Sequence, residues 1–324
     1  MENPVIQLSR VTKKYGDFTA VDQLNLSIHK GEIFGLLGPN GAGKSTTILM
    51  LMGLTEPSSG NVEVCGINST TNPIEVKRKV GYLPEDVGFY DDLTGMENLI
   101  YTAQLNGLRY QDAKQKADEI LTRVGLANDK HKKTGKYSKG MRQRLGLADV
   151  LIKNPEVIIL DEPTTGIDPT GVQELLDLIV ELRDEHNITV LFSSHNLHQV
   201  QQVCDRVGLF VKGKLLAEGN IESLSEKLFT HGKYLIELDI DVGTQENKKT
   251  ISVEDLQNAL SKVDDIQSIR KENEIFQIES STDNSSSIAK AVIDSNYNLC
   301  CLNKKEYGLD AIYNRYFEGG VNDE

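Results

Sequence analysis

Eight consecutive residues, Gly38-Pro39-Asn40-Gly41-Ala42-Gly43-Lys44-Ser45, have the spacing GxxxxGK[ST], and the chemistry of that pattern is phosphate binding. Glycines at 38, 41 and 43 let the main chain wrap a polyphosphate with its N–H groups pointing inward. A helix opening at Thr46 adds the positive potential of its N-terminus to the same spot. Lys44 is placed to reach the outer phosphates, and the Ser45 hydroxyl to face Mg²⁺. A chance glycine turn is the competing reading, and by itself the loop specifies only a nucleotide.

A second group supplies what the loop lacks. Four aliphatics, 157–160, lead directly into Asp161 and Glu162, so both carboxylates emerge at the carboxyl end of a buried strand, where α/β sheets place ligands. Asp161 can hold Mg²⁺ through water, and Glu162 can polarise a water for attack on a γ-phosphate. An isolated Asp-Glu after a strand is ordinarily a solvated turn; beside a phosphate loop the chemical reading is favoured.

The elements needed to position these groups are legible in the hydrophobic pattern. Residues 33–37, 157–160 and 189–192 read as buried strands. Residues 46–54, 94–106, 110–124, 141–152 and 170–185 read as helices, with Thr94 and Glu97 forming a capping box before Leu99-Ile100. This alternation predicts an α/β sheet with parallel strands. Beyond about residue 228 the pattern changes to strand 234–240, helix 253–263, strands 266–271 and 274–278, helix 286–295, strand 297–302 and a last helix 309–317. That βαββαβ order predicts a small α+β ferredoxin-like domain over 229–324. Residues 283–287 read as a surface loop.

Composition narrows the function classes. The chain has 324 residues, enough for two domains with cores of their own. A net charge of -13 argues against a nucleic-acid partner, which requires clustered Lys and Arg. The longest uninterrupted aliphatic run is far short of a membrane span, and the residues from Met1 to Pro4 lack the basic start of a secretory leader. Any membrane role therefore goes through a partner. The cysteines, Cys65, Cys204, Cys300 and Cys301, show no metal or disulfide spacing and suit a reducing compartment. On an extended strand Cys300 and Cys301 point to opposite faces, which favours packing over a shared ion.

The stretch Tyr137-Ser138-Lys139-Gly140-Met141-Arg142-Gln143-Arg144 resembles the signature of ATP-binding-cassette (ABC) ATPases, LSGGQ followed by basic and Gln residues. It stands just upstream of the Asp161-Glu162 strand, as in that family. Tyr15 resembles the aromatic that stacks on adenine, Tyr82-Leu83-Pro84-Glu85 the Q-loop, Gly166-Ile167-Asp168 the D-loop, and His195 the switch histidine. The resemblance covers about residues 4 to 220. It implies a P-loop NTPase fold over 1–228, with a helical subdomain at about 86–152, that binds and hydrolyses ATP with Mg²⁺.

The implied roles follow residue by residue. Gly38 to Thr46, including Pro39, Asn40, Gly41, Ala42 and Gly43, hold the phosphates; Ser45, Asp161 and Glu85 serve the metal; Lys44, Glu162 and His195 serve the reaction. Ser138 and Gly140 complete the site of a facing subunit, with Asp168 in the D-loop, so the expected partner is a second copy or a paralogous cassette. Two positions depart from the family pattern: Glu85 replaces the usual Gln, and Lys139, expected to face solvent, replaces a second glycine. Both are similar to ATPases of type-2 ABC exporters, and the signature also resembles the ATPase of nitrous oxide reductase copper assembly. The resemblance thus implies a cytoplasmic subunit working beneath an integral membrane permease, with a metalloenzyme-maturation (copper or sulfur) system as the alternative and a soluble non-transport ABC ATPase as a lesser one.

Overall fold

A computed structural model describes residues 4–220, 224, 234–241, 251–272 and 275–306. The chain divides into two units, Met1–Asn220 and Ile221–Glu324. In the first, β1 (Ile6–Tyr15), β2 (Phe18–Ile28), β4 (Ser59–Val64) and β5 (Ile67–Asn68) form an antiparallel sheet of order β2-β1-β4-β5. The second sheet runs β10 (Lys214–Gly219), β9 (Arg206–Val211), β3 (Ile33–Leu37), β8 (Thr189–Ser194), β7 (Val157–Asp161), β6 (Val80–Leu83). From β9 to β6 its strands are parallel, and β10 is antiparallel.

Every residue of β3, β7 and β8 is buried, the signature of parallel strands covered on both faces. This explains why their sequences are unbroken aliphatic runs rather than alternating ones. The antiparallel sheet packs on the same core: Ile6, Leu8 and Leu24 meet Phe34, Ile48 and Phe210. Burying Phe210 alone contributes about 2 kcal/mol. The helices are α1 (Lys44–Leu51), α2 (Pro73–Lys79), α3 (Gly95–Leu105), α4 (Tyr110–Arg123), α5 (Lys139–Leu151), α6 (Pro169–His186) and α7 (Leu197–Val203). Helices α3, α4 and α5 pack on one another and fill the segment read as a helical subdomain.

In the second unit β11 (Tyr234–Asp241), α8 (Val253–Ala259), β12 (Ile266–Glu272), β13 (Ile275–Ser280), α9 (Ser285–Asp294) and β14 (Asn298–Glu306) follow one another. The sheet order is β12-β13-β11-β14, with every pair antiparallel. This is the ferredoxin-like arrangement, closed over Ile236, Leu238, Leu256, Phe276, Ile278 and Ile288. The expected helix at 309–317 and the expected boundary at 228/229 lie outside the described residues.

Two expectations are corrected here. Residues 283–287 are not one loop, because α9 begins at Ser285, and Asp283 accepts from Ser285 N at 3.2 Å and Ser285 Oγ at 2.6 Å. Cys300 and Cys301 do not pack on opposite faces; both are exposed. Asp239 pairs with Cys301 but Ile240 with Leu299, so Cys300 is the extra residue of a bulge that resets the alternation.

The capping box at α3 is formed as expected: Thr94 Oγ1 accepts from Glu97 N at 3.2 Å, and Thr94 N donates to Glu97 Oε2 at 2.7 Å. The Thr94 hydrogen bonds hold the Glu97 carboxyl below its ordinary 4.5. Its contribution is present above that value and is lost as pH falls through the depressed one. Thr94→Ala should therefore lower stability by about 1 kcal/mol at neutral pH, and by less in acid. Urea unfolding at the two pH values measures both.

Candidate active site

The strand order does most of the positioning. Strands β3, β8 and β7 are neighbours, with Leu37 beside Ser194 and Asp161 beside Ser193. The loop after β3, the histidine after β8 and the two carboxylates of β7 therefore emerge side by side at one sheet edge. Gly38 N donates to Ser194 O at 3.3 Å, and Glu162 N to Ser193 O at 3.0 Å, which ties all three strand ends together.

The phosphate loop needs glycine for a measurable reason. Gly43, capping α1, has φ 108°, and a Cβ there would lie 2.5 Å from Ala20 O and 2.8 Å from Phe210 Cε1. At Gly38 a Cβ would lie 2.3 Å from Phe210 O. Phe210 of β9 and Ala20 of β2 thus back the loop closely, and the loop lines a cleft of about 350 Å³.

Lys44 is almost fully buried and donates to Gly38 O at 2.6 Å and Pro39 O at 3.3 Å. Its Nζ also stands 3.3 Å from Glu162 Oε1, while Glu162 Oε2 meets His195 Nδ1 at 2.8 Å. Glu162 is 7% exposed, and His195 is about half exposed. The result is a line from buried ammonium to buried carboxylate to solvent-facing imidazole. Glu162 also has φ 48°, a left-handed conformation that costs a non-glycine residue about 1–3 kcal/mol and that clusters at functional sites.

Asp161 is held beside this line. Burial raises its pKa above the ordinary 3.8; the Ser193 and Ser45 hydroxyls oppose the rise, Glu162 adds to it and Lys44 opposes it. Its Oδ1 is buried with no hydrogen-bond partner. A buried acceptor left without a donor costs about 1–3 kcal/mol, and a divalent cation near Ser45 would satisfy it. The oxygen donor set of Ser45, Asp161 and Glu85 is the hard set that Mg²⁺ takes.

The remaining expected residues divide into two groups. Pro39, Asn40, Gly41, Gly43, Lys44, Ser45, Thr46, Glu85 and Glu162 line the one cleft, while Ala42 is buried behind it. Tyr15, Ser138, Gly140 and Asp168 are not among the residues lining it. Tyr15 is 49% exposed, with Lys13 Nζ 4.9 Å from its ring centre. The aromatic that lines the cleft is Phe18, paired with Tyr15 across the hairpin; the Gly16-Asp17 turn between them was the available signal. Ser138 caps α5, accepting from Met141 N at 3.2 Å, and Asp168 caps α6, accepting from Gly171 N at 3.0 Å. Lys139 is exposed, but its stem lies over Gly166, where a Cβ would meet Lys139 Cδ at 3.0 Å.

Sequence reasoning missed Gln143. Its side chain is 1% exposed and Nε2 donates to Glu85 O at 2.9 Å, tying the loop after β6 to the helix that Ser138 caps. Neighbouring Arg142 donates to Asp91 Oδ1 at 2.7 Å and to Thr134 O at 3.3 Å. In the sequence these residues only extend the signature, and the close approach of α5 to β6 is what shows their contacts.

Residues 21–165 match the ABC transporter family. The chain is 45% identical over 231 residues to the bacitracin transport ATP-binding protein BcrA of Bacillus licheniformis, covering 71% of this chain and 74% of that one. It belongs to the ABC transporter family. Over 236 residues it is 38% identical to the linearmycin resistance ATP-binding protein LnrL of Bacillus subtilis (strain 168), covering 73% and 75%. Among solved structures, cbiO1 of Clostridium perfringens, part of the ABC transporter complex cbiONQ, superimposes with a TM-score of 0.64 at 28% identity, covering 70% of this chain and 95% of that one. A dimeric ATP-binding cassette in a post-hydrolysis state with ADP and Pi gives 0.61 at 25% identity, covering 66% and 98%.

The chain is thus an ABC ATPase, the ATP-binding subunit of a transporter. No helix among its described residues is long and apolar enough to cross a membrane. In this ABC ATPase Gly43→Ala should lose at least about tenfold in ATP affinity, about 1.4 kcal/mol, because the loop must move off Ala20 and Phe210. Equilibrium binding of a fluorescent ATP analogue measures it, and wild-type affinity would contradict the packing argument.

Proposed function

We propose that this ATPase is the motor of a membrane exporter, converting Mg-ATP binding and hydrolysis into movement of a separate integral membrane permease. The observation that carries the catalytic half is the Lys44–Glu162–His195 line beside the phosphate loop. The relatives, a bacitracin transport protein and a linearmycin resistance protein, support a role in moving an antibiotic outward. The ATPase then sits on the cytoplasmic face of the membrane through its permease.

We assign each residue of the site a role that the geometry supports. Backbone N–H groups of residues 38–46 and Lys44 Nζ bind and orient the phosphates. Glu162, fixed between Lys44 and His195, accepts a hydrogen bond from the attacking water and takes its proton as the γ-phosphate is transferred. His195, reaching solvent, orients that water or the γ-phosphate. Ser45, Asp161 and Glu85 would hold Mg²⁺, which neutralises phosphate charge when bound. Tyr15 offers a ring face to the adenine.

Ser138 and Gly140 stand at the exposed start of α5, a helix N-terminus suited to an anion. We assign them, with Asp168, to the nucleotide held by a second copy, so two cassettes close on two ATP molecules. Residues 1–228 are the ATPase portion and 229–324 an accessory domain for packing, dimerisation or regulation.

Glu162→Gln keeps the shape but removes the base, so turnover should fall about a hundred- to ten-thousand-fold while ATP still binds and a dimer accumulates. Lys44→Ala should instead lose nucleotide affinity and form no ATP-dependent dimer. Sedimentation with Mg-ATP distinguishes the two; wild-type turnover by Glu162→Gln would remove it from this role.

A further inference from the structure

A second cleft, of about 330 Å³, lies against the first and shares Glu85 with it; Asp86, Val87, Lys139, Arg142 and Gln143 complete its lining. Both positions at which the sequence departs from its family, Glu85 and Lys139, face this one space, and they carry opposite charges. Among the described residues neither forms an ion pair. Arg142, the other cation of the lining, is occupied by Asp91, Thr134 O and the ring of Phe89.

The floor of the cleft is a buried amide with half its bonding unmet. Gln143 Nε2 donates to Glu85 O, which fixes the orientation of the amide. Its Oε1 is buried with no hydrogen-bond partner. An acceptor in that position calls for a donor, and Lys139 is the lining residue with donors to spare. Its stem and ammonium lie over Gly166, where a Cβ would stand 3.0 Å from Cδ and 3.1 Å from Nζ, and the four-carbon chain is free to rotate.

We infer that Lys139 is the counter-ion of Glu85: turned into this cleft, its ammonium donates to Gln143 Oε1 and pairs with the Glu85 carboxylate. The two departures are then one compensated pair. A carboxylate at the mouth of the phosphate cleft adds negative charge beside the polyphosphate beyond what a bound Mg²⁺ offsets, and an ammonium beside it cancels the remainder. Lys139 is a positioning residue, acting on ATP through Glu85. The inference rests on the ATPase reading of the first cleft.

A double-mutant cycle on the full chain tests it, reading KM for ATP and kcat at low and high salt. Lys139→Ala should raise KM about three- to fivefold, the scale of a partly exposed charge pair, with kcat little changed and the effect reduced at high salt. In a Glu85→Gln background the same substitution should change KM by less than about 1.5-fold. Lys139→Arg should restore the wild-type value, which a loss of folding would not allow. Additive effects of Lys139→Ala and Glu85→Gln would overturn the pairing, as would a coupling that follows Asp86→Asn instead. Absence of ATP turnover in the wild-type chain would sink the ATPase reading itself, a separate outcome.

Discussion

Glu162 carries a charge into an almost closed interior and does so in a backbone conformation unfavourable for its residue type. A buried carboxylate is tolerable only with partners in good geometry, and removing one partner typically costs about 3–5 kcal/mol. Its partners come from two other strand ends, Lys44 after β3 and His195 after β8. The sheet order β3-β8-β7 is thus a requirement of that carboxylate as much as of the core. Were β8 elsewhere, Glu162 would lose both the imidazole and the Ser193 carbonyl that receives its own N–H.

The same constraint extends backward into the fold. Lys44 stays in place because the loop beneath it has no side chains at Gly38 and Gly43, where Phe210 and Ala20 leave no room. The antiparallel sheet supplies Ala20 and Phe18, so the first strands of the chain, distant in sequence from the carboxylates, form the back and mouth of the cleft. The site is assembled from segments that meet over one core, which includes Phe34, Ile48 and Phe210.

Much of this was legible in the sequence where one physical signal dominated. Unbroken aliphatic runs marked β3, β7 and β8 because both faces of those strands are covered, and Thr94 with Glu97 marked the start of α3 because the cap is local. Signals that depend on tertiary context were not legible. The β1–β2 hairpin lacks strict alternation, since bulges interrupt its register. Phe18 was signalled only by the Gly16-Asp17 turn that pairs it with Tyr15, Cys300 and Cys301 were misplaced by one bulged residue, and the buried contact of Gln143 appeared only where α5 meets the loop after β6. The candidate site was readable as a set of residues, while the contacts that hold Glu162 and Glu85 in place required the structure.

On the proposed dimer, the chain by itself holds half of a reaction centre. Ser138, on the exposed start of α5, is absent from the lining of the cleft that Lys44 serves, and we propose that its counterpart is the phosphate bound by another copy. Mixing Ser138→Arg with Lys44→Ala chains, each inactive alone, tests this directly. Verified heterodimers should regain ATP hydrolysis, because one interface then combines an intact Lys44 with an intact Ser138. Heterodimers no more active than either parent would contradict the account.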